Sequence, residues 1–295
     1  MGQGRWIGFI GLGVMGEPMC RNLARKCASP VIAYDQRQEP LERLSAHGVR
    51  IATSLEEVAT LADVVMLSLP SGKEVATICC QAKGLIALAR PGQTVIDLGT
   101  SPVSLTRELA RRFNSAQADF ADAPVARTRA AAEQGTLSVM VGASEIVFRR
   151  IEPLLRCFAT DVTHCGDVGA GQFVKIVNNM VLFQTGVALA EALVLAKHAG
   201  IAGDVLFETL AKGSADSFAL RNHGMKAMIP EKFPEQAFSA EYALKDIGYA
   251  LELGAEAKVH LRGAELAAQL LRETIERGYG KEYWPALIKV VGPPK

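Results

Sequence analysis

Two stretches of this chain have the residue types and spacing to do chemistry. In "FIGLGVMGEPM" the glycines Gly11, Gly13 and Gly16 make G-x-G-x-x-G directly after an apolar run and directly before a helical one. A dinucleotide loop needs that context. Gly11 allows the tight turn, Gly13 lets a pyrophosphate approach the backbone, Gly16 lets helix and strand pack closely, and the helix N-terminus stabilises the phosphate charge. Leu12, Val14 and Met15 belong to the same predicted loop. Asp35 closes the next apolar run, at about the spacing of 20 residues the fingerprint expects. A carboxylate there accepts hydrogen bonds from ribose hydroxyls and repels a 2′-phosphate, which favours NAD over NADP. Arg37, two residues on, keeps NADP open.

The second stretch is "GDVGAGQFVKIVNN", where Lys175 is followed three and four residues later by Asn178 and Asn179. On a helix those spacings bring all three toward one face. A lysine by itself is as readily a solvated charge, whereas the paired asparagines and the glycine-rich entry point to a site.

Elements must hold these residues in place. The first half alternates short β-rich runs with helical stretches: strands are predicted at 6–10, 31–35, 63–69, 94–98, 119–123, 137–141 and 161–165, with helices such as 18–26 and 104–113. That alternation predicts an α/β, Rossmann-type doubly wound sheet. After Gly171 the apolar positions recur at three and four residues with no proline, which predicts a long helix over about 170–199. The segments beyond it have helical spacing and glycine stops. The expected organisation is a dinucleotide-binding domain over 1–166 and an all-α substrate and oligomerisation domain over 167–295, joined through the long helix. The apolar run from Met180 to Ala196 is broken by Gln184, Thr185 and Glu191, so it is expected to be a buried helix and not a membrane span.

Composition narrows the partners. Lysine plus arginine number 32 against 31 aspartates plus glutamates, and a formal charge of +1 provides no field for nucleic acid or an anionic membrane. A small-molecule ligand is the expectation. Six cysteines without CxxC spacing, and five scattered histidines, predict reduced thiols in the cytoplasm and no metal site. The apolar start, interrupted by four glycines, suits a strand and phosphate loop better than a signal peptide. The hydrophobic surface of the long helix predicts a homodimer or homotetramer formed through the helical domains.

Four motifs together carry a resemblance that spans nearly the whole chain: "FIGLGVMGEPM", "DAPVARTRAAAEQGTL", "GAGQFVKIVNN" and "FSAEYALKDIGYALE". The chain resembles the β-hydroxyacid dehydrogenase family, which includes 3-hydroxyisobutyrate dehydrogenase and tartronate semialdehyde reductase. The resemblance implies that Lys175 is the catalytic acid/base and that Asn178 and Asn179 orient it and bind substrate. It also implies that Leu69, Pro70, Thr100 and Lys245 line the cofactor, with Thr100 also near the substrate. Substrate would then lie between the domains.

The sequence departs from the family pattern at three places. Gly99 stands where a substrate-contacting serine is usual. Ala126, Arg127 and Thr128 replace a Ser-Gly-Gly turn whose backbone cradles a carboxylate, and Leu182 replaces a serine found with an Arg-Thr loop in sulfolactaldehyde reductases. A guanidinium at 127 offers a forked donor to a carboxylate or sulfonate; its alternative is a loop arginine paired with an acid such as Glu133. Arg127 and Thr128 as substrate-binding residues favour an NAD-dependent reductase of a small anionic aldehyde, 3-sulfolactaldehyde or succinic semialdehyde. The alternatives are 3-hydroxyisobutyrate or tartronate semialdehyde as substrate, and, in another class, a non-catalytic dinucleotide-binding module. Lys175 argues against the last and against imine reductases, which usually lack it.

Overall fold

A computed structural model describes residues 5–235 and 237–292. The chain divides into two compact units, Met1–Lys175 and Ile176–Lys295. In the first, β1 (Trp6–Ile10), β2 (Val31–Tyr34), β3 (Arg50–Ile51), β4 (Ala62–Leu67), β5 (Thr94–Asp97), β6 (Asp119–Asp122), β7 (Val125–Ala126), β8 (Leu137–Gly142) and β9 (Ala159–Gly166) share one sheet. Its order is β3-β2-β1-β4-β5-β6-β8-β7, with β9 paired to β8. Every pairing from β3 through β6 is parallel, and β8 runs antiparallel to β6 and β7.

Alternation along the strands supplies two apolar layers, because successive side chains leave opposite faces. Ile7, Phe9, Val64 and Met66 share a core with α1 (Gly16–Lys26), α2 (Gln38–Ser45), α6 (Arg129–Gln134) and α7 (Glu145–Leu155). Ile10, Val65, Leu67 and Val95 pack instead with α3 (Leu55–Leu61), α4 (Gly72–Cys80) and α5 (Val103–Ser115). The result is the doubly wound Rossmann-type sheet expected from the sequence. Strand order reverses beside β1, and in such sheets the ligand crevice lies outside the carboxyl ends of the strands at that point. The seven predicted strands all form; β3 and β7, two residues each, are too short to show alternation.

The long helix α8 runs Ala170–His198, so its first turns belong to the first unit and the rest to the second. Beyond it come α9 (Gly203–Leu210), a π-helical stretch Leu220–Met228, α10 (Ala240–Glu256), α11 (Arg262–Thr274), a second π-helical stretch Ile275–Tyr279, a 3₁₀ turn Trp284–Leu287 and α12 (Ile288–Val291). Phe183, Val187 and Ala190 of α8 form one core with Phe207, Ile247, Leu271 and Trp284. Gly186 permits that packing, since a Cβ there would lie 2.4 Å from the Trp284 ring. By length and mean hydropathy (1.6) α8 could cross a membrane, and 39% of that window is buried. Phe183, Val187, Leu189 and Ala190 are core of the second unit, while Val181 and Leu195 stay exposed.

Candidate active site

The glycine loop after β1 has the geometry that its sequence promises. Gly11 sits at φ +91, and a Cβ on it would lie 2.3 Å from the Ser68 carbonyl oxygen. A Cβ on Gly16 would lie 2.1 Å from the Gly11 carbonyl oxygen. Gly13 differs: a Cβ there would have no neighbour within 4 Å, so its missing side chain leaves open space in front of the loop. Helix α1 has Met15 at its N-cap and no side-chain cap; Glu17 N–H donates to the Gly13 carbonyl at 3.1 Å and Pro18 has no N–H, so any amides offered to an anion come from the loop and the very first helical residue. Leu12 is buried, Met15 partly so, and Val14 is exposed.

Asp35, just past β2, is tied to this loop. Its Oδ2 accepts from the Leu12 N–H at 2.5 Å and its Oδ1 from the Arg37 N–H at 2.8 Å. Arg37 Nη2 donates to the Leu12 carbonyl at 2.8 Å, and its Nε lies 3.2 Å from Asp35 Oδ1. Burial pushes the carboxyl up, but these N–H donors outweigh it and hold Asp35 below its ordinary pKa. A carboxylate is thereby fixed beside the glycine loop. Open space at Gly13, a helix N-terminus without a side-chain cap and an anchored acceptor fit a bound dinucleotide.

The loops after β4 and β5 converge on the same place. A Cβ on Gly11 would lie 3.0 Å from Leu69 Cδ2, and one on Gly99 would lie 3.0 Å from the Leu69 carbonyl oxygen. Gly99 is also held by its N–H donating to Asp97 Oδ1 at 2.9 Å, with that same oxygen 3.2 Å from its would-be Cβ. A serine side chain would be tight at this turn, which gives the Gly99 departure a physical reason. Thr100 is half-buried in that turn, and Pro70 is exposed before the N-cap of α4.

Sequence reasoning missed the residues that anchor the lysine helix. Asp122, closing β6, is fully buried and accepts from Gly169 N–H and Gln172 N–H, both at 2.7 Å. Burial pushes its pKa up to about 6 against those donors. Gln172, also fully buried, accepts from Ser101 N–H at 3.0 Å through Oε1 and donates to the Gly99 carbonyl at 2.9 Å through Nε2. Ser101 Oγ donates to Asp97 Oδ2 at 2.6 Å. The turn carrying Thr100 is thus joined to α8 three residues before the half-buried Lys175. The available signal was a pair of strand-ending aspartates and a glutamine in the glycine-rich entry.

In the second unit, Asn179 is 3% exposed and donates through Nδ2 to Asp246 Oδ2 at 2.7 Å. Asn178 is exposed and donates through Nδ2 to Asn179 Oδ1 at 3.1 Å. Lys245 Nζ lies 3.0 Å from Asp246 Oδ1, and also near the Tyr242 and Tyr249 rings at 5.6 and 5.4 Å. The structure therefore ties Asn178, Asn179 and Lys245 together through Asp246, a residue the sequence did not single out.

Arg127 is engaged elsewhere. Its guanidinium donates to the Thr136 carbonyl at 2.6 Å, Thr160 Oγ1 at 2.9 Å and Asp161 Oδ2 at 2.7 Å. The nearby acid it meets is Asp161; Glu133 pairs with Arg129 at 3.0 Å. Arg127 has φ +86, so the backbone keeps a conformation that glycine adopts readily. Thr128 caps α6, its side chain accepting from Ala131 N–H. Among the described residues no group of three His, Cys, Asp or Glu side chains could hold a metal.

The chain is similar to known proteins over nearly its whole length. Residues 6–166 match the family described as the NAD binding domain of 6-phosphogluconate dehydrogenase. Residues 169–291 match the one described as NAD-binding of NADP-dependent 3-hydroxyisobutyrate dehydrogenase. The chain is 36% identical to 2-(hydroxymethyl)glutarate dehydrogenase of Eubacterium barkeri, covering 96% of this chain and 94% of that one. It is 33% identical to mitochondrial 3-hydroxyisobutyrate dehydrogenase of Mus musculus, covering 94% and 84% respectively. Among solved structures it matches Mycobacterium tuberculosis 3-hydroxyisobutyrate dehydrogenase with L-serine, with a TM-score of 0.88, 31% identity, and 98% and 100% of the two chains covered.

Proposed function

The chain belongs to the β-hydroxyacid dehydrogenase family, NAD-dependent oxidoreductases acting on CH–OH groups, and we propose that it interconverts a 2-substituted 3-hydroxypropionate and its semialdehyde. The observation that carries this is Lys175 on a helix whose entry is pinned by Asp122 and Gln172 to the turn bearing Thr100. NAD, which the Gly11–Gly16 loop and Asp35 would hold, would serve as the hydride acceptor. Lys175 as the neutral amine takes the hydroxyl proton at Nζ; in reduction its ammonium returns that proton and stabilises charge growing on the carbonyl oxygen. The balance is alcohol plus NAD⁺ to aldehyde, NADH and a proton.

The substrate class rests on chemistry shared by the relatives' names. 2-(Hydroxymethyl)glutarate, 3-hydroxyisobutyrate and the L-serine in the solved structure all have a hydroxymethyl group on the carbon that bears a carboxylate. Succinic semialdehyde sets its carboxylate one carbon farther away, and 3-sulfolactaldehyde replaces it by a sulfonate. Both candidates drew support from Arg127, whose guanidinium is bonded to Asp161 and Thr160. An exposed ion pair of that kind is weak. A second substrate carboxylate, as on the glutarate, is therefore the anion able to recruit Arg127.

The test is NAD⁺-linked kcat/KM for oxidation of 3-hydroxyisobutyrate, 2-(hydroxymethyl)glutarate, 4-hydroxybutyrate and 2,3-dihydroxypropane-1-sulfonate, the last two being the alcohols of succinic semialdehyde and 3-sulfolactaldehyde, with the parent, Lys175→Ala and Arg127→Gly. The hydroxymethyl acids should lead. Lys175→Ala should lower kcat at least ~10²-fold with NADH affinity nearly intact, and Arg127→Gly should hurt only the substrate with a second anion. Unchanged turnover in Lys175→Ala, or preference for the sulfonate, would overturn the proposal.

A further inference from the structure

Asp246 is a carboxylate, 2% exposed, with no part in the proton transfer derived above. We propose that it is a positioning residue that fixes the hydrogen-bond polarity of Asn179 and, through it, of Asn178. The proposal rests on reading α8 as the catalytic helix.

An ionised carboxylate only accepts hydrogen bonds. Asp246 Oδ2, 2.7 Å from the Asn179 amide, can therefore face only its Nδ2. The Oδ1 of Asn179 is then turned to Asn178, 3.1 Å from that residue's amide nitrogen. Asn178 must in turn present Nδ2 to it, which leaves Asn178 Oδ1 pointing off the chain of bonds. A side-chain amide is nearly symmetric in shape and has no intrinsic orientation. Here the buried charge removes that freedom at two successive residues. Asn178 Oδ1 is thus left as an acceptor, three residues along α8 from Lys175.

The same carboxylate serves Lys245. Its Nζ is 3.0 Å from Oδ1, a charge pair not aligned as a hydrogen bond, and the Tyr242 and Tyr249 rings flank the ammonium. Each carboxylate oxygen thus faces one donor. An amide in place of the carboxylate has one oxygen, so it must turn its NH₂ toward either Asn179 or Lys245. A carboxylate at 179 facing Asp246 sets two acceptors against each other. Exchanging the two residues satisfies everything: the carboxylate at 179 accepts from both neighbours, and the amide at 246 donates to it while its oxygen faces Lys245.

The experiment compares D246N, N179D and the exchange N179D/D246N with the parent by NAD-linked kcat and KM for 3-hydroxyisobutyrate, NADH fluorescence titration and thermal melting. Each single variant should lose about tenfold or more in kcat. The exchange should recover most of that loss and melt above both singles. Singles within twofold of the parent, or an exchange no better than the worse single, would overturn the relay. Should the singles not fold, selectively ¹⁵N-asparagine-labelled parent decides. The Asn179 side-chain amide protons should exchange slowly with solvent, and fast exchange refutes the bond to Asp246. Melting and exchange do not depend on turnover. A parent inactive on every hydroxy acid would therefore sink the proposed activity while leaving the relay separately measured.

Discussion

A single methyl group placed at two positions of the cofactor loop should have opposite effects. At Gly13 the added Cβ meets no atom within 4 Å, and φ there is not positive, so alanine fits the unliganded fold. Replacing glycine at a compatible position removes unfolded-chain entropy worth about 0.4–1 kcal/mol. In a unit of this size that is about 1–4 °C of melting midpoint upward. The methyl fills the space through which the pyrophosphate approaches, so NADH affinity should fall by at least ~10-fold, about 1.4 kcal/mol or more. At Gly16 the Cβ would lie 2.1 Å from the Gly11 carbonyl oxygen and 3.1 Å from Ser68 Oγ, and the loop and helix must part. Overpacking of this kind costs about 1–3 kcal/mol, or about 2–12 °C downward. Thermal melts without cofactor and NADH fluorescence titrations of Gly13→Ala and Gly16→Ala read both effects. If Gly13→Ala melts well below the parent, or binds NADH as tightly, the loop is not the cradle described.

Two further outcomes can be checked. Asp35→Ser removes the charge that repels a 2′-phosphate and frees Arg37 from its 3.2 Å contact, so the ratio of kcat/KM for NADP over NAD should rise at least ~10-fold; an unchanged ratio would remove Asp35 from cofactor choice. His223 is 5% exposed, with Nδ1 2.5 Å from Tyr283 Oη and no partner for Nε2. Burial, helped by Lys226, pulls its pKa down from 6.5 to about 4. The folded state therefore favours the neutral ring: that stability is complete above 6.5 and lost as pH falls from there toward 4, about 1.4 kcal/mol per pH unit. Urea unfolding at pH 7.5 and 5 should show the parent losing about 2 kcal/mol more than His223→Gln, and equal losses would show that the ring does not titrate this way.

The sheet was legible because its code is local. Strands β1, β4 and β5 are apolar runs bounded by glycine, proline or polar residues, and both faces are covered, so the runs are nearly continuous. Helix α8 was legible from its unbroken spacing of three and four. The stretches at Leu220–Met228 and Ile275–Tyr279 were not, because a π-helix differs from an α-helix by one residue per turn and no composition marks it. Tertiary packing decides at the first, where a Cβ on Gly224 would lie 2.7 Å from the Phe207 ring; the second is broken by Gly278, a non-helical residue at φ +87.

At the site, the sequence revealed residues whose chemistry is their type and hid those whose role is a partner. Glycines at fixed spacing and a lysine followed by two asparagines are visible in one dimension; that Asp122 caps α8, Gln172 grips Gly99, and Asp246 orders two amides depends on separations of 47 to 73 residues. At Arg127 residue type shows the charge but not its partners. A guanidinium in a substrate loop suggests an anion clamp, yet its three bonds run to Thr136, Thr160 and Asp161, on strands and turns from the same unit. The loop also holds Arg127 at φ +86, a conformation that glycine adopts readily. A non-glycine residue held there is strained by about 1–2 kcal/mol, and the three bonds made by its own side chain are what can offset it. Backbone conformation at 127 is thereby held by a side chain whose bonds all stay within its own unit.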